Sequence, residues 1–453
     1  MSRFVNPGSA LTQADLKEFT AAFRFPVRTI LSFEFLLVLL ICVGAYKKNP
    51  TFAWMFPIDA TLILGALCGL GILKYLMANG LQRRLVTPIA LYVLFCLWAV
   101  GSVAWTKAID ASPLVGWLSR TAIINGIIFA GTLVVVAQSR VRTIRFLAAL
   151  AIVSLVLGVD YVLQARAMAY MAKFDDIQYN LNGEIVALGF TVFFGFMLYM
   201  KMFTPRWTLC VAAMCILFYS SLIIGSRQGF LAALVQITVI LSATVYLKRR
   251  SLHMHRGSVP ALVLLVFSVL GLLLALQAGL ESRLLTRLAG LSEYISGDQG
   301  ADHSAGMRVR FMTAAVDYWS DSLFSMILGN GLFSYSTMFK GSYFLGAHPH
   351  NLVLNIISEL GLIGLALYLG FLGSVVLGRG LNLVGVSPLN GILIGMALGE
   401  LFRAMVDTRI ESSGTFLMAM CLLPALRAPL YAAGRAAVAR HREPATTALS
   451  RPA

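Results

Sequence analysis

Long runs of apolar residues, separated by short polar segments, dominate the chain. Runs of about 17–25 apolar residues can cross a hydrocarbon core of roughly 30 Å as helices. Backbone groups in lipid must pair within their own segment, and the alternation of a barrel strand is missing, so the runs predict helices. The twelve predicted spans are 29–46, 58–78, 88–105, 119–138, 144–163, 184–202, 207–224, 229–247, 259–277, 352–377, 388–406 and 413–433.

The composition favours the same class of protein. Hydrophobic residues make up 58% of the 453 positions, charged residues only 12%, and the mean hydropathy is +0.81. A soluble domain carries about 25% charged residues, and a disordered chain is poor in apolar ones. The sequence therefore predicts an all-α, polytopic membrane protein.

The net charge of +16 is distributed unevenly. Twelve spans place both termini on one side, and the loops of that side hold most of the 36 Lys and Arg residues but few of the 20 Asp and Glu residues. This excess of basic residues is typical of cytoplasmic loops. We predict that both termini are cytoplasmic, and we interpret the charge as an orientation signal and not as a nucleic-acid-binding surface.

The spans divide the chain into five predicted regions. These are a cytoplasmic N-terminal segment (1–28), spans one to nine (29–277), a large outer loop (278–351), spans ten to twelve (352–433) and a basic cytoplasmic tail, predicted to be disordered (434–453). A structureless loop as long as the outer one is unusual, so we expect it to contain helices. Segments 281–295 and 307–323 have apolar residues at helical spacing and are predicted to lie along the membrane interface.

Three arginines on the outer side are candidates for binding an anion. Arg308 and Arg310 open the second amphipathic segment, where guanidinium groups present fixed donors to phosphate oxygens. Arg227 lies in a Gly/Ser turn between spans seven and eight. By itself Arg227 is also compatible with an anchor at the membrane edge, but its position on the same side as the loop favours a joint anion site.

Two histidines, His348 and His350, precede span ten. An imidazole at a membrane entrance can act as a general base or as part of a metal site. No third ligand occurs at a convincing spacing, so no metal site is predicted. The segment 329–331, with the sequence Gly-Asn-Gly, predicts a tight turn with positive φ angles.

Charged residues also occur inside the predicted spans. Glu359 lies about two turns into span ten, and Glu400 and Arg403 are three residues apart in span eleven. Charge at membrane depth is costly unless it is paired, which makes each residue a functional candidate. For these residues structural pairing is the favoured interpretation.

The region around span ten resembles a known family. His350-Asn351, nine residues and then Gly361-Leu362-Ile363-Gly364 are similar to the conserved motif of bacterial O-antigen ligases. Ligases, O-antigen polymerases and protein O-oligosaccharyltransferases share about twelve spans and a long periplasmic loop in the second half. The resemblance covers residues 220–375 well, and the N-terminal half agrees in hydropathy only.

Further features match the family. An arginine before an aromatic-containing helix corresponds to Arg308 or Arg310, the Gly-x-Gly turn corresponds to 329–331, and an arginine at an outer helix end corresponds to Arg227. The proline that commonly precedes the turn is missing. The neighbouring His348 leaves the identity of the base open, although the register favours His350.

The resemblance implies a GT-C-like glycosyltransferase of the bacterial inner (plasma) membrane, with its active site facing the periplasm. The donor would be a glycan on undecaprenyl diphosphate, and the acceptor would be a sugar hydroxyl on lipid A–core or on another glycan. Transfer would invert the anomeric centre without a metal or other cofactor, and the remaining partners would be membrane lipids. The residues implied are His350 as base, Arg227 with Arg308 or Arg310 at the diphosphate, and His348, Asn351, Glu359, Gly361 and Gly364 in support.

Asn351 or Glu359 would orient the imidazole of His350 in this interpretation. A secondary transporter or flippase, with Glu359, Glu400 and Arg403 on a substrate path, is the alternative from another class. The chain has no clear two-fold repeat, which argues against transport. A polymerase of the same family remains open, and the single dominant outer loop favours a ligase.

Overall fold

A computed structural model describes most of the predicted membrane region. The predicted span 259–277, the amphipathic segment 281–295 and the tail 434–453 lie outside the described residues. Within the described part the chain forms helices and turns and no strand, so the all-α class is confirmed there. The described residues are 15–21, 29–47, 60–110, 112–163, 176–200, 204–249, 303–342, 344, 347–377, 388–410 and 413–427.

The helices follow the apolar runs of the sequence closely. In chain order they are α1 (Phe33–Lys47), α2 (Ala60–Asn79), α3 (Val86–Gly101), α4 (Leu114–Val136), α5 (Arg140–Leu163), α6 (Asp176–Met197), α7 (Pro205–Ile224), α8 (Arg227–Arg249), α9 (His303–Ser320), α10 (Leu323–Leu328), α11 (Ser334–Lys340), α12 (Leu352–Leu377), α13 (Pro388–Asp407) and α14 (Gly414–Leu422).

Eight of these elements are long and apolar enough to cross a membrane, and they correspond to eight predicted spans. They are α2, α3 with its flanking turns, α4, α5, α7, α8, α12 and α13. Three further predicted spans correspond to the shorter apolar helices α1, α6 and α14. The chain is therefore a polytopic membrane protein over the part that the structure describes.

The start of α6 differs from the prediction. The helix begins at Asp176, inside the predicted outer loop 164–183, and Asn182 and Glu184 are buried. The side-chain amide of Asn182 donates to the hydroxyl of Tyr161 in α5. The predicted span therefore starts too late, because Asn182 and Glu184 find partners within the bundle and the helix already includes them.

Helix α6 occupies the centre of the bundle. It packs against α5, α7, α8 and α13, and α8 packs extensively along α13. One polar contact pairs α5 with α6 at membrane depth: the hydroxyl of Ser154 in α5 donates to the carbonyl of Ile185 at 2.8 Å. A second group joins α3 to α12 through Phe95 and Tyr368, whose ring centroids lie 5.1 Å apart.

The two ends of the bundle carry different chemistry. At one end the segment 15–21 is fixed to the start of α5, where Arg140 pairs with Asp15 and Arg145 pairs with Glu18 at 2.9 Å. This is the end at which the sequence predicts the cytoplasm. The starts of α6, α8 and α12 and the end of α13 meet at the opposite end, together with α9 to α11.

Candidate active site

His350 and Asn351 form the turn that starts α12. The Asn351 side chain caps this helix, since its Oδ1 accepts the backbone N–H of Leu354 at 3.0 Å. Its Nδ2 donates to the carbonyl oxygen of Met405 in α13 at 2.9 Å. The motif pair therefore attaches the start of α12 to the end of α13.

The backbone of His350 is strained. Its φ angle is 53°, in the left-handed region that residues other than glycine rarely adopt. Such conformations persist only where surrounding contacts impose them, and they cluster at functional sites. His350 lies between such contacts, since Asp407 holds its imidazole and Asn351, the next residue, binds α12 and α13.

Asp407, the last residue of α13, brings two of the predicted site residues together. Its Oδ1 is hydrogen-bonded to Nδ1 of His350, and Nη2 of Arg308 lies 3.8 Å from the same oxygen. The Asp407 side chain is only 5% exposed, whereas those of His350 and Arg308 are 17% and 24% exposed. A buried carboxylate therefore holds an imidazole and a guanidinium that both reach solvent.

The contact between Asp407 and His350 has a chemical consequence. A carboxylate that accepts a hydrogen bond from Nδ1–H fixes the tautomer in which Nε2 carries the free lone pair. The sequence assigned the orienting role to Asn351 or Glu359. In the structure Asp407 lies beside Nδ1 of the imidazole, and Asn351 binds the backbone of α13. The orienting role of Asn351 or Glu359 stays a prediction.

Aromatic side chains enclose the imidazole. The Phe311 ring, one turn after Arg308 on α9, lies 5.5 Å from the His350 ring, and the His348 ring lies 4.0 Å away on another side. The Tyr335 hydroxyl donates to the carbonyl oxygen of Phe311 at 2.8 Å, and burial raises the pKa of this hydroxyl well above its usual range. Tyr335 therefore stays a neutral donor that fixes the position of α9.

His348, His350 and Asp407 also form a set of potential metal ligands, with ligand atoms within 4.8 Å of one another. The structure thus supplies the third donor that the sequence lacked. In tetrahedral zinc sites the ligand atoms lie about 3.3 Å apart, given metal–nitrogen distances of roughly 2.0–2.1 Å. Nδ1 of His350 and Oδ1 of Asp407 are in direct hydrogen-bond contact and would have to separate to reach that spacing. The Arg308 cation beside Asp407 favours an anionic ligand over a cation.

Helix α12 is broken at Gly361, ten residues after Asn351. Gly361 has φ 66° and ψ −169°, so the carbonyl groups before it lose their helical partners. The loop 329–331 replaces those partners: Asn330 N–H donates to Ser358 at 3.1 Å, and Gly331 N–H donates to Glu359 at 2.8 Å. The indole Nε1 of Trp98 donates to the carbonyl of Leu360 at 3.0 Å.

The glycines of the two motifs depend on each other. A Cβ atom on Gly329 would lie 2.5 Å from the backbone nitrogen of Gly361, and a Cβ on Gly361 would lie 2.5 Å from that of Gly329. Gly329 and Gly331 have positive φ, as the predicted turn requires, and Gly361 has positive φ as well. Gly364, the last glycine of the motif, faces Trp98, with 3.4 Å between its missing Cβ and Cδ1 of the indole. The Gly-x-Gly turn and the helix break are one structural unit.

A comparison with known families finds a match over part of the chain. The family model described as O-antigen ligase matches residues 209–369. Residues 209–369 are therefore similar to the O-antigen ligase family. The resemblance predicted from the sequence is confirmed over that range. A search of the curated proteins finds no match to the chain.

The matched range contains some elements of the site and excludes others. It includes Arg227, Arg308, the broken helix up to Gly364 and the His350-Asn351 turn. It ends before α13, so Asp407 lies outside the matched residues. The carboxylate that contacts His350 is therefore contributed by a part of the chain that the match does not reach.

The three predicted arginines have different positions. Arg308 contacts Asp407, while Arg310, two residues further along α9, is exposed. Arg227 is buried at the first position of α8, after Gly225, which ends α7 with φ 65°. Helix α8 packs closely on α6 here, since a Cβ on Gly229 would lie 2.7 Å from the carbonyl oxygen of Gly183.

A buried ion cluster lies next to this contact; we call Glu184, Glu400, Arg403 and Thr415 the Arg403 cluster. The Arg403 guanidinium lies 2.9 Å from Oε1 of Glu184 in α6 and 3.0 Å from Oε2 of Glu400 in α13. It also donates to the hydroxyl of Thr415 in α14 at 2.8 Å. The predicted pairing of Glu400 with Arg403 is confirmed. Glu359 is buried as well, beside the helix break.

Asp407 and Glu184 are the residues that sequence reasoning missed. Asp407 ends α13 and Glu184 is the first residue of a predicted span, so reaching water is the simplest expectation for both. One signal was available for Asp407, because it extends the stripe of Glu400 and Arg403 along one face of α13. The burial of Glu184 was not predicted, because the predicted span starts at this residue.

Proposed function

We propose that this protein is a membrane glycosyltransferase that moves a glycan from undecaprenyl diphosphate to a sugar hydroxyl. The ligase type, with lipid A–core as the acceptor, is the form that we favour. The observation that carries the proposal is the contact of Asp407 with both His350 and Arg308, within a chain whose segment 209–369 matches the O-antigen ligase family.

In this mechanism His350 is the general base. Its Nε2 accepts the proton of the acceptor hydroxyl as the oxygen attacks the anomeric carbon, and the bond between that carbon and the diphosphate oxygen breaks on the opposite face. Asp407 holds the imidazole through Nδ1 and stabilises the imidazolium that forms. Displacement from the opposite face inverts the anomeric configuration.

Arginines stabilise the leaving group. Departure of the diphosphate concentrates negative charge on its oxygens, and fixed guanidinium donors lower the energy of that charge without a metal or other cofactor. Arg308 is suited to this role because its Nη2, at 3.8 Å from Asp407, retains donors for a phosphate. Arg227 is the second candidate, at the N-terminus of α8, where the helix dipole also favours an anion.

We further propose that the site faces the periplasm of a bacterial inner membrane and that both termini are cytoplasmic. The basic excess on the terminal side supports this orientation. The polyprenyl chain would remain in lipid, while its diphosphate reaches the end of the bundle where α8, α12 and α13 meet.

Replacement of His350 by alanine tests the chemistry. We expect purified, folded His350→Ala protein to lose transfer from a glycosyl undecaprenyl diphosphate donor by about 10²–10⁴-fold, as for loss of a general base. His348→Ala, which changes the neighbouring imidazole, is the comparison variant. Retention of wild-type turnover by His350→Ala, with loss in His348→Ala, would assign the base to His348.

A deletion strain distinguishes ligase from polymerase. A ligase defect leaves bare lipid A–core and accumulates lipid-linked polymer. A polymerase defect leaves surface polysaccharide with a single repeat unit. We expect the first result, and a single-repeat product would establish the polymerase instead.

A further inference from the structure

The Arg403 cluster connects three helices just below the proposed active site. Arg403 contacts Glu184 from α6, Glu400 from its own helix and Thr415 from α14. We propose that Arg403 is a positioning residue, which sets the separation between the outer ends of α8 and α13 and thereby the geometry between Arg227 and Asp407. This inference rests on the proposed function of that site.

The connection to Arg227 runs through α6. Glu184 directly follows Gly183, and Gly183 touches α8 at Gly229, two residues after Arg227. A Cβ on Gly183 would lie 2.8 Å from the hydroxyl oxygen of Ser226, the residue before Arg227. No larger side chain fits at this backbone contact, so a shift of Glu184 moves the start of α8 with it.

The connection to Asp407 runs along α13. Arg403 and Asp407 are one helical turn apart on the same face, and the Glu400 carboxylate lies on the turn before them. The chain beyond Asp407 is also fixed: the Ile410 N–H donates to Oδ1 of Asn355 in α12 at 3.1 Å. Asp407 is therefore held between the Arg403 cluster and α12, with little freedom to adapt if the cluster changes.

The chemistry of the cluster argues for positioning and not for stability alone. Two carboxylates and one guanidinium at membrane depth are costly, and apolar side chains of similar volume often replace buried ion pairs without loss of stability. Compared with apolar side chains, the charged side chains make directional contacts, because a guanidinium binds carboxylates in a fixed planar geometry. A cluster of this kind defines a helix arrangement that apolar packing would leave free to slide.

The test neutralises the cluster as a unit. Removing Arg403 alone leaves two buried carboxylates and risks unfolding, so the variant is Glu184→Gln, Glu400→Gln and Arg403→Met together. We expect it to fold, to lose about 10–100-fold in kcat with the glycosyl undecaprenyl diphosphate donor, and to change KM for the donor much less, because misplacement impairs alignment more than binding. Backbone hydrogen exchange at 227–230 and 404–410 should rise, while exchange in α2 should not.

Two comparison variants make the result specific. Glu18→Gln with Arg145→Met neutralises an ion pair at the opposite end of the bundle and should leave kcat and both exchange segments unchanged. Arg403→Lys keeps the charge but lacks the planar guanidinium. It should lower kcat and speed exchange at the same segments as the triple variant does, but by less.

The outcomes separate this inference from the proposed function. Wild-type kcat and wild-type exchange in the triple variant would overturn the positioning role, even if His350→Ala is inactive. Faster exchange at 227–230 and 404–410 in the triple variant would support the positioning role, whatever the activity of the wild-type protein. Failure of the wild-type protein to transfer the glycan would overturn the proposed function instead. A fall in kcat without faster exchange would also count against positioning.

Discussion

At the residue scale, the site is defined by a single carboxylate. Asp407 is buried and contacts the imidazole of His350 and the guanidinium of Arg308. The three residues are at least 42 positions apart from one another in the sequence. The same residue therefore fixes the tautomer of His350 and limits where Arg308 can point. Changes at this position should affect the proposed reaction without removing either partner.

Replacing Asp407 by asparagine should lower kcat by about 10²–10⁴-fold. An amide can donate to Nδ1, which would favour the tautomer whose Nε2 carries the proton and cannot act as a base. Steady-state transfer rates of purified protein measure the effect, with Asp321→Asn, an exposed acid paired with Lys107, as the matched change. Equal rates for the two variants would contradict the assigned role of Asp407.

Arg308 and Arg310 offer a matched pair on one helix. Arg308→Ala should raise KM for the lipid diphosphate donor by about 10–100-fold, the effect of losing a charge-assisted hydrogen bond. The exposed Arg310→Ala should have a clearly smaller effect. Donor titration at fixed acceptor concentration distinguishes them, and a larger effect at Arg310 would reverse our assignment.

At the element scale, the broken helix α12 links the outer loop to the membrane. Three carbonyl groups, of Ser358, Glu359 and Leu360, receive donors from outside the helix. The break thereby fixes the Gly-x-Gly turn of the loop against a span that starts at the His350-Asn351 turn. Backbone hydrogen bonds at the break therefore help to set the position of the loop relative to His350.

Gly361→Ala should therefore destabilise the protein by about 1–3 kcal/mol or more, since the new methyl group meets the backbone of Gly329 at a positive φ angle. Thermal unfolding in detergent measures this change. Gly373→Ala, in the same helix, places its methyl group where nothing lies within 4 Å and should leave the unfolding temperature unchanged or raise it. Similar unfolding temperatures for both variants would argue against the break as described.

The sequence predicted elements better than contacts between them. Helix α12 begins and ends where its apolar run does, because hydropathy is a property of consecutive residues. The contact of His350 with Asp407 joins positions 57 residues apart on different helices, and no local pattern records such a pairing. The helical start of α6 was missed for the same reason, since its polar residues are satisfied by neighbouring helices.

At the scale of the whole molecule, the charged residues at the two ends of the bundle have different roles. The end with the N-terminal segment holds peripheral ion pairs such as Arg145 with Glu18, whereas the opposite end holds the Arg403 cluster and the proposed site. The net charge of +16 therefore says little about the site, whose arginines matter by position.

This polarity predicts the labelling of single cysteines in intact cells. Asp321→Cys, on the side of the proposed site, should react with a membrane-impermeant maleimide, and Arg83→Cys, at the other end, should react only after the cells are opened. Both positions are exposed, so accessibility within the protein does not limit the reaction. Labelling of Arg83→Cys alone in intact cells would invert the proposed orientation.

The helix break also constrains how the protein is made. The donors that satisfy α12 come from Trp98 and from residues 330–331, all of which are synthesised before the span itself. Unpaired carbonyl groups are strongly unfavourable in lipid, so a newly inserted α12 is expected to be a continuous helix until those donors arrive. The active site would then be completed only after the loop has been exported, which would keep the nascent chain inactive on the side where it is synthesised.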